Sequence, residues 1–283
     1  MSLVVERAGP LTTVQDLGRP GYAHLGVPRA GALDPPALRL ANRLVGNPEG
    51  AAGLEITLGG FAARFAGRAV VALTGAPAPV RIAGHSAALY GPVEVGPGDE
   101  VELGVPDRGV RTYLAVRGGL DVPAVFGSRS TDLLGGLGPP TVAAGTRLAV
   151  GTPAAGFPTV DLAPVPELPA ELVLPARAGP RADWFAPGAL DLLGSGPYEV
   201  TAASNRVGLR LSGPPLRSAR DRELPTEGLV EGALQVPPNG QPIVMLADHP
   251  VTGGYPVIAV VDEAAVALAA QARPGDRIRF LVV

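Results

Sequence analysis

The chain has 283 residues, 46% of them hydrophobic, and a formal net charge of −3; it contains no cysteine, and all 23 of its basic residues are arginine. Without cysteine there is no disulfide, thiolate nucleophile or zinc–thiolate site, and without lysine no Schiff base, carried biotin or Gly-Lys-Ser/Thr phosphate loop. Dispersed arginines on a slightly acidic chain leave no electrostatic footprint for nucleic acid, and no apolar run approaches the roughly eighteen residues that cross a membrane.

The opening MSLVVERAGP places an acid and a base close together ahead of any apolar run, so it does not read as a signal peptide, and the expected compartment is cytoplasmic. Residues 9–34 form a loop-rich opening. Asp34-Pro35-Pro36 then predicts a helix start, with Asp as N-cap and Pro in the first turn. Leu38, Ala41, Leu44 and Val45 give its apolar stripe, and Gly46 with Pro48 ends it near Val45. From Ala51 to Val150 short runs such as EITLGG, AVVALTG, DEVELG and VRTYLAVRGG are cut by Gly and Pro at about eight- to twelve-residue spacing, a barrel or sandwich pattern. The Pro- and Ala-rich stretch 151–169 reads as a linker.

Beyond it the β pattern resumes. Residues 235–258, QVPPNGQPIVMLADHPVTGGYPVI, read as strand, loop and strand, with a tight turn over Thr252–Pro256. A helix is predicted over Glu263–Gln271, capped by Asp262 and stopped by Pro274-Gly275, and DRIRFLVV is a last strand. RAGALD at 29–34 is echoed by VEGALQ at 230–235, and PGDEVEL at 97–103 by PGDRIRF at 274–280. Two echoes in one order point to two related β domains, 1–160 and 161–283.

Three polar stretches compete as sites. Gln15–Pro20 followed by Tyr22 and His24 offers Asp16 and Arg19, either paired with each other or with Arg19 turned towards a carboxylate ligand. Gly127–Asp132 places Ser128, Arg129 and Ser130 in a turn, equally an anion cradle or an ordinary turn. The 235–258 stretch gathers Gln235, Gln241, Asp248, His249, Thr252 and Tyr255, and its Gly253 and Gly254 serve either a ligand loop or a hairpin. Asp248 and His249 are adjacent, so on a strand they would face opposite ways, which argues against an Asp–His catalytic pair.

These stretches together resemble the biotin-dependent carboxyltransferase family: GPLTTVQDLGRPGYAHLGVPRAGALD, then AVRGGLDVPAVFGSRSTDLLGGLG, then EGLVEGALQVPPNGQPIVMLADHPVTGGYPVIA. That family includes the C-type subunit of bacterial 5-oxoprolinase, KipA, and the matching half of the carboxyltransferase domain of urea carboxylase. The resemblance runs from about Gly9 to Phe280. It implies a mainly β chain of two cyclophilin-like β-barrel domains with a few short helices. It also implies a B-type (KipI-like) partner and an A-type 5-oxoprolinase subunit, with ATP as cofactor, bound at or with the partners, and with biotin borne on another chain. The implied activity is ATP-dependent opening of 5-oxo-L-proline to L-glutamate, by a chain inactive alone. The alternatives are the carboxyltransferase half of a urea-carboxylase/allophanate-hydrolase-like system and a KipA-like regulatory role without catalysis.

By motif, Asp16, Arg19, Arg129 and Asp248 are the implied catalytic residues. Asp34, Ser128, Ser130, Gln235, Gln241, Thr252, Gly253, Gly254 and Tyr255 are the implied substrate contacts, with Gly31 beside them, and His24 and His249 join from the same stretches. No metal is expected. The family's ADRQTTGGYP stands here as ADHPVTGGYP, so His249 replaces a fixed positive charge and would bind an anion only when protonated. The frequent SGAMD is Ala30-Gly31-Ala32-Leu33-Asp34, one hydroxyl fewer.

Overall fold

The structure is a computed structural model that describes residues 1–283 except 154, 155, 157–159 and 166. It is mainly β, as the sequence predicts, and divides into two compact units. The first comprises Met1–Arg19, Ala30–Asp132 and Gly136–Leu168; the second comprises Pro20–Arg29, Leu133–Gly135 and Pro169–Val283.

The first unit contains β1 (Ser2–Ala8), β2 (Leu11–Gln15), α1 (Pro35–Leu44), β3 (Gly53–Thr57), β4 (Phe61–Phe65), β5 (Ala69–Gly75), β6 (Val80–Ile82), β7 (His85–Ala87), β8 (Val93–Val95), β9 (Glu100–Leu103), β10 (Arg111–Val116) and β11 (Arg147–Ala149). They build a six-stranded sheet, β11-β1-β4-β9-β6-β7, and a five-stranded one, β2-β3-β10-β5-β8. The apolar core joins both sheets: Leu3, Val5, Phe61 and Phe65 from one meet Leu54, Ile56, Leu73 and Leu114 from the other. Strand alternation decides the rest. All six residues of β10 are buried, Leu114 and Val116 in that core and Tyr113 and Ala115 against α1. A helix lying on the second face of the sheet is what allows so continuous an apolar run.

α1 is capped as expected. Asp34 accepts a hydrogen bond from the Ala37 N–H at 3.1 Å, and Leu38, Ala41 and Leu44 are buried. Six of the nineteen residues of the expected linker, 151–169, lie outside the described residues; of the remainder, Ala163 is buried and its N–H donates to the Tyr90 carbonyl at 2.8 Å.

In the second unit, β12 (Glu171–Ala178), α2 (Ala189–Ser195), β13 (Tyr198–Val200), β14 (Gly208–Ser212), β15 (Glu227–Gly228), β16 (Ala233–Gln235), β17 (Ile243–Met245), β18 (Thr252–Gly253), β19 (Val257–Val261), α3 (Glu263–Ala269) and β20 (Arg277–Val282) follow in order. Seven of the strands close into a barrel, β12-β19-β16-β17-β14-β13-β20, sealed by parallel pairing of β12 with β20. Leu172, Leu174, Leu209, Val244, Ile258 and Phe280 are buried, and Tyr198 meets Phe280 edge-on with ring centroids 6.0 Å apart.

One helix reading is corrected, and one helix is additional. α2 was not predicted, because its N-cap is Gly188 and no side chain caps it. α3 begins where predicted but ends at Ala269, and Asp262 stands at its N-cap without a side-chain hydrogen bond. The Pro-Gly-Asp echo is structural. Asp99 accepts from the Gly96 N–H at 2.7 Å, Asp276 from the Arg273 N–H at 2.8 Å, and the intervening Gly98 and Gly275 have φ of 85° and 93°. The same turn thus launches β9 and β20.

Candidate functional site

The first two polar stretches, read as competitors, are one constellation in the first unit. Asp16 follows directly on β2, and its carboxylate is the hub. Oδ1 accepts from the Gly18 N–H (2.8 Å) and from the hydroxyls of Ser128 (2.6 Å) and Ser130 (2.5 Å); Oδ2 accepts from the Arg129 N–H (2.6 Å). The Asp16 N–H donates to Ser130 Oγ, and the Gln15 side chain donates to the Thr131 carbonyl. Main chain and side chain together therefore clamp residues 128–131 onto the end of β2.

The expected Asp16–Arg19 pair is not formed. Arg19 is sealed, its side chain 0% exposed; it donates to the Val125 and Ser130 carbonyls, and its Nη1 lies 3.7 Å from Asp132 Oδ2. Hydroxyls bind Asp16 without carrying a second charge into the interior, while Arg19 meets carbonyls and the carboxylate of Asp132. Of the four expected catalytic residues, only Arg129 presents its side chain to solvent, 42% exposed and 3.8 Å from Asp121. Asp16, Ser128 and Ser130 together hold the main chain at Arg129.

In the second unit, Asp248 is fully buried and grips Arg206 in a two-pronged ion pair, Nε–Oδ2 and Nη2–Oδ1 both 2.9 Å. Arg206 went unnoticed in the sequence, where it looks like any of the other arginines. Burying two charges is costly unless their geometry is good, and here both forks are met. The pair fixes the start of the 248–256 loop. His249 is also buried; its Nδ1 contacts the Pro250 carbonyl at 2.7 Å and so carries the proton. His249 thus bonds within its own loop.

Burial holds the His249 pKa below the usual imidazole value, against smaller raising effects from Pro250 and Asp248. The folded state therefore binds this proton more weakly than the unfolded chain does. The resulting stabilisation is present above the ordinary imidazole pKa and is lost as pH falls below about 6.5. The thermal midpoint should accordingly drop less between pH 7 and pH 5 in His249→Gln than in the wild type. Parallel profiles for the two proteins would show that the imidazole is not the sensor.

The rest of the loop is not a free hairpin. Thr252 and Gly253 pair as β18 with β15, and the Gln235 amide donates to the Tyr255 carbonyl at 3.0 Å. Gly253 is not in the left-handed region; a Cβ there would sit 2.6 Å from Gln235 Nε2 and 2.8 Å from Leu229 Cδ1, so the ends of those two side chains would have to move. Arg181 braces β15 through a two-pronged pair with Glu227, one arm at 3.0 Å. Gly254, Tyr255 and Pro256 are thereby held at the rim of a cavity of about 680 Å³. Its other walls include Trp184, Phe185, Arg220, Arg222 and Thr226, none of which the sequence reading singled out.

The remaining candidates lie elsewhere. His24 sits exposed in a single 3₁₀ turn, Ala23–Leu25. Asp34 is the α1 cap, and its N–H donates to the Tyr113 hydroxyl, which in turn donates to Glu55. Gln241 clamps Gly213 through both its amide atoms at 2.8 and 3.1 Å. No cluster of metal-ligating side chains occurs among the described residues.

Residues 25–282 match the family described as carboxyltransferase domain, subdomain A and B. The chain belongs to that family. It is 41% identical to the C-type subunit of 5-oxoprolinase from Escherichia coli (strain K12), covering 99% of this chain and 90% of that protein. Among solved structures, TTHA0988 superposes with a TM-score of 0.91 at 38% identity, over 99% of this chain but only 56% of that one. The K. lactis urea amidolyase superposes equally well, TM-score 0.91 at 30% identity, and the whole of this chain corresponds to 19% of it. The fold is therefore used both as a separate chain and as a portion of longer ones.

Proposed function

We propose that the chain is the C-type subunit of an ATP-dependent 5-oxoprolinase, opening 5-oxo-L-proline to L-glutamate together with A- and B-type subunits. The observation that carries this is the 41% identity to the E. coli protein over nearly the full length of both chains. The lactam amide is intrinsically stable, so coupling to ATP fits a phosphorylated intermediate whose charge arginines and hydroxyls can stabilise. A chain without lysine has no phosphate-loop lysine, and nucleotide binding is accordingly assigned to the partners.

The K. lactis likeness supports a second reading, the carboxyltransferase half of a urea-carboxylase-like system, with biotin arriving on another chain. Reconstitution separates the two. Glutamate release from 5-oxoproline should require ATP, the two partners and this chain, and vanish when this chain is omitted. Turnover without it, or transfer of a carboxyl group from biotin to urea in its place, would move the assignment to the second reading. Turnover by this chain alone would overturn the expectation that it is inactive without its partners.

A further inference from the structure

We propose that the cavity beside Trp184 binds a small, ring-bearing monocarboxylate, with Arg222 as the carboxylate anchor. This deepens the 5-oxoprolinase reading and rests on it only for the identity of the ligand as 5-oxoproline.

The wall of the cavity is built firmly. Trp184 and Phe185 are 6% and 5% exposed, and the Trp184 carbonyl accepts from the Ala219 N–H at 2.7 Å, which pins the following arginine-bearing segment to the rings. The Arg222 guanidinium carbon lies 5.2 Å from the Trp184 ring centroid. Stacking of this kind orients a guanidinium while leaving its N–H edge available for two parallel hydrogen bonds to a carboxylate. Arg222 takes part in no ion pair among the described residues.

Arg220, in contrast, lies 3.6 Å from Asp183, and Glu223 also lines the cavity. Of the two lining arginines, Arg222 is therefore the one without an ion-pair partner among the described residues. A polyphosphate, which needs several cations or converging amides, is a poor match. Across the cavity the hydroxyls of Thr226 and Tyr255 have no protein partner among the described residues, so they can serve the amide edge of a lactam. Aromatic and proline surfaces, with Pro237 and Pro256 among them, suit the apolar faces of a saturated ring.

Trp184 is the only tryptophan, so all tryptophan emission arises beside this cavity. The full chain should be titrated with 5-oxoproline, cyclopentanecarboxylate and 2-pyrrolidinone, by fluorescence and by calorimetry. Both carboxylates should give saturable changes, and 2-pyrrolidinone should bind at least about tenfold more weakly. Arg222→Gln, on an exposed side chain, should melt like the wild type yet lose at least about tenfold in carboxylate affinity, with Arg222→Lys in between. No response to either carboxylate, or equal affinity in Arg222→Gln, overturns the proposal. Binding of cyclopentanecarboxylate through Arg222 without binding of 5-oxoproline supports the cavity and overturns 5-oxoproline as its ligand.

Discussion

Replacing Asp248 by alanine is expected to destabilise the barrel unit by about 3–5 kcal/mol, because it strands the guanidinium of Arg206 in the interior. The two side chains are 2% and 0% exposed, so water cannot take over the lost partner. Trp184 emission follows this unit through a denaturant titration, and the midpoint should shift without a change of slope. The double variant Arg206→Met/Asp248→Leu should recover most of the loss, since removing both charges also removes their desolvation cost. A loss below about 1 kcal/mol in Asp248→Ala would mean that the pair is not sealed as described. If stability is kept while activity of the reconstituted complex disappears, Asp248 is catalytic after all.

The second large effect belongs to Asp16. Asp16→Asn has nearly the same shape, but in either orientation its NH2 group would face a main-chain N–H that cannot accept, Gly18 on one side or Arg129 on the other. Hydrogen bonds to a charged acceptor contribute about 1.5–3 kcal/mol each, and they do not add fully, so a loss of about 3 kcal/mol or more is expected. Hydrogen exchange gives the local readout. The amides of Gly18 and Arg129, which donate to this carboxylate, should lose protection, whereas those of α1 should lose it only with global unfolding. Unchanged protection with lost turnover would restore Asp16 to the catalytic role the family resemblance implies.

Local chemistry was legible in the sequence, and distant chemistry was not. The Asp34-Pro35-Pro36 start of α1 and the strand run of β10 could be read because their causes lie within a few residues of their effects. The polar stretches around Asp16 and Ser128 were each visible, but their union was not, since it joins positions 112 apart. The same separation hid Arg206, whose meaning comes only from Asp248. Trp184 and Arg222 are ordinary residue types in ordinary contexts, and only the fold places one beside the other.

The parallel pairing of β12 with β20 sets the order in which this unit can be completed during synthesis. Arg279 and Glu171, 108 positions apart, meet across the seam, and Tyr198 on β13 also waits for Ile278 on β20. Until residues 277–282 have left the ribosome, β12 and β13 each lack the strand that seals them. The nascent unit is then an open sheet, the form most prone to pair with a neighbouring chain. Chaperone demand should therefore persist until residues 277–282 have emerged, and a premature stop near residue 276 would release a chain with two unsealed strands rather than a slightly shortened barrel.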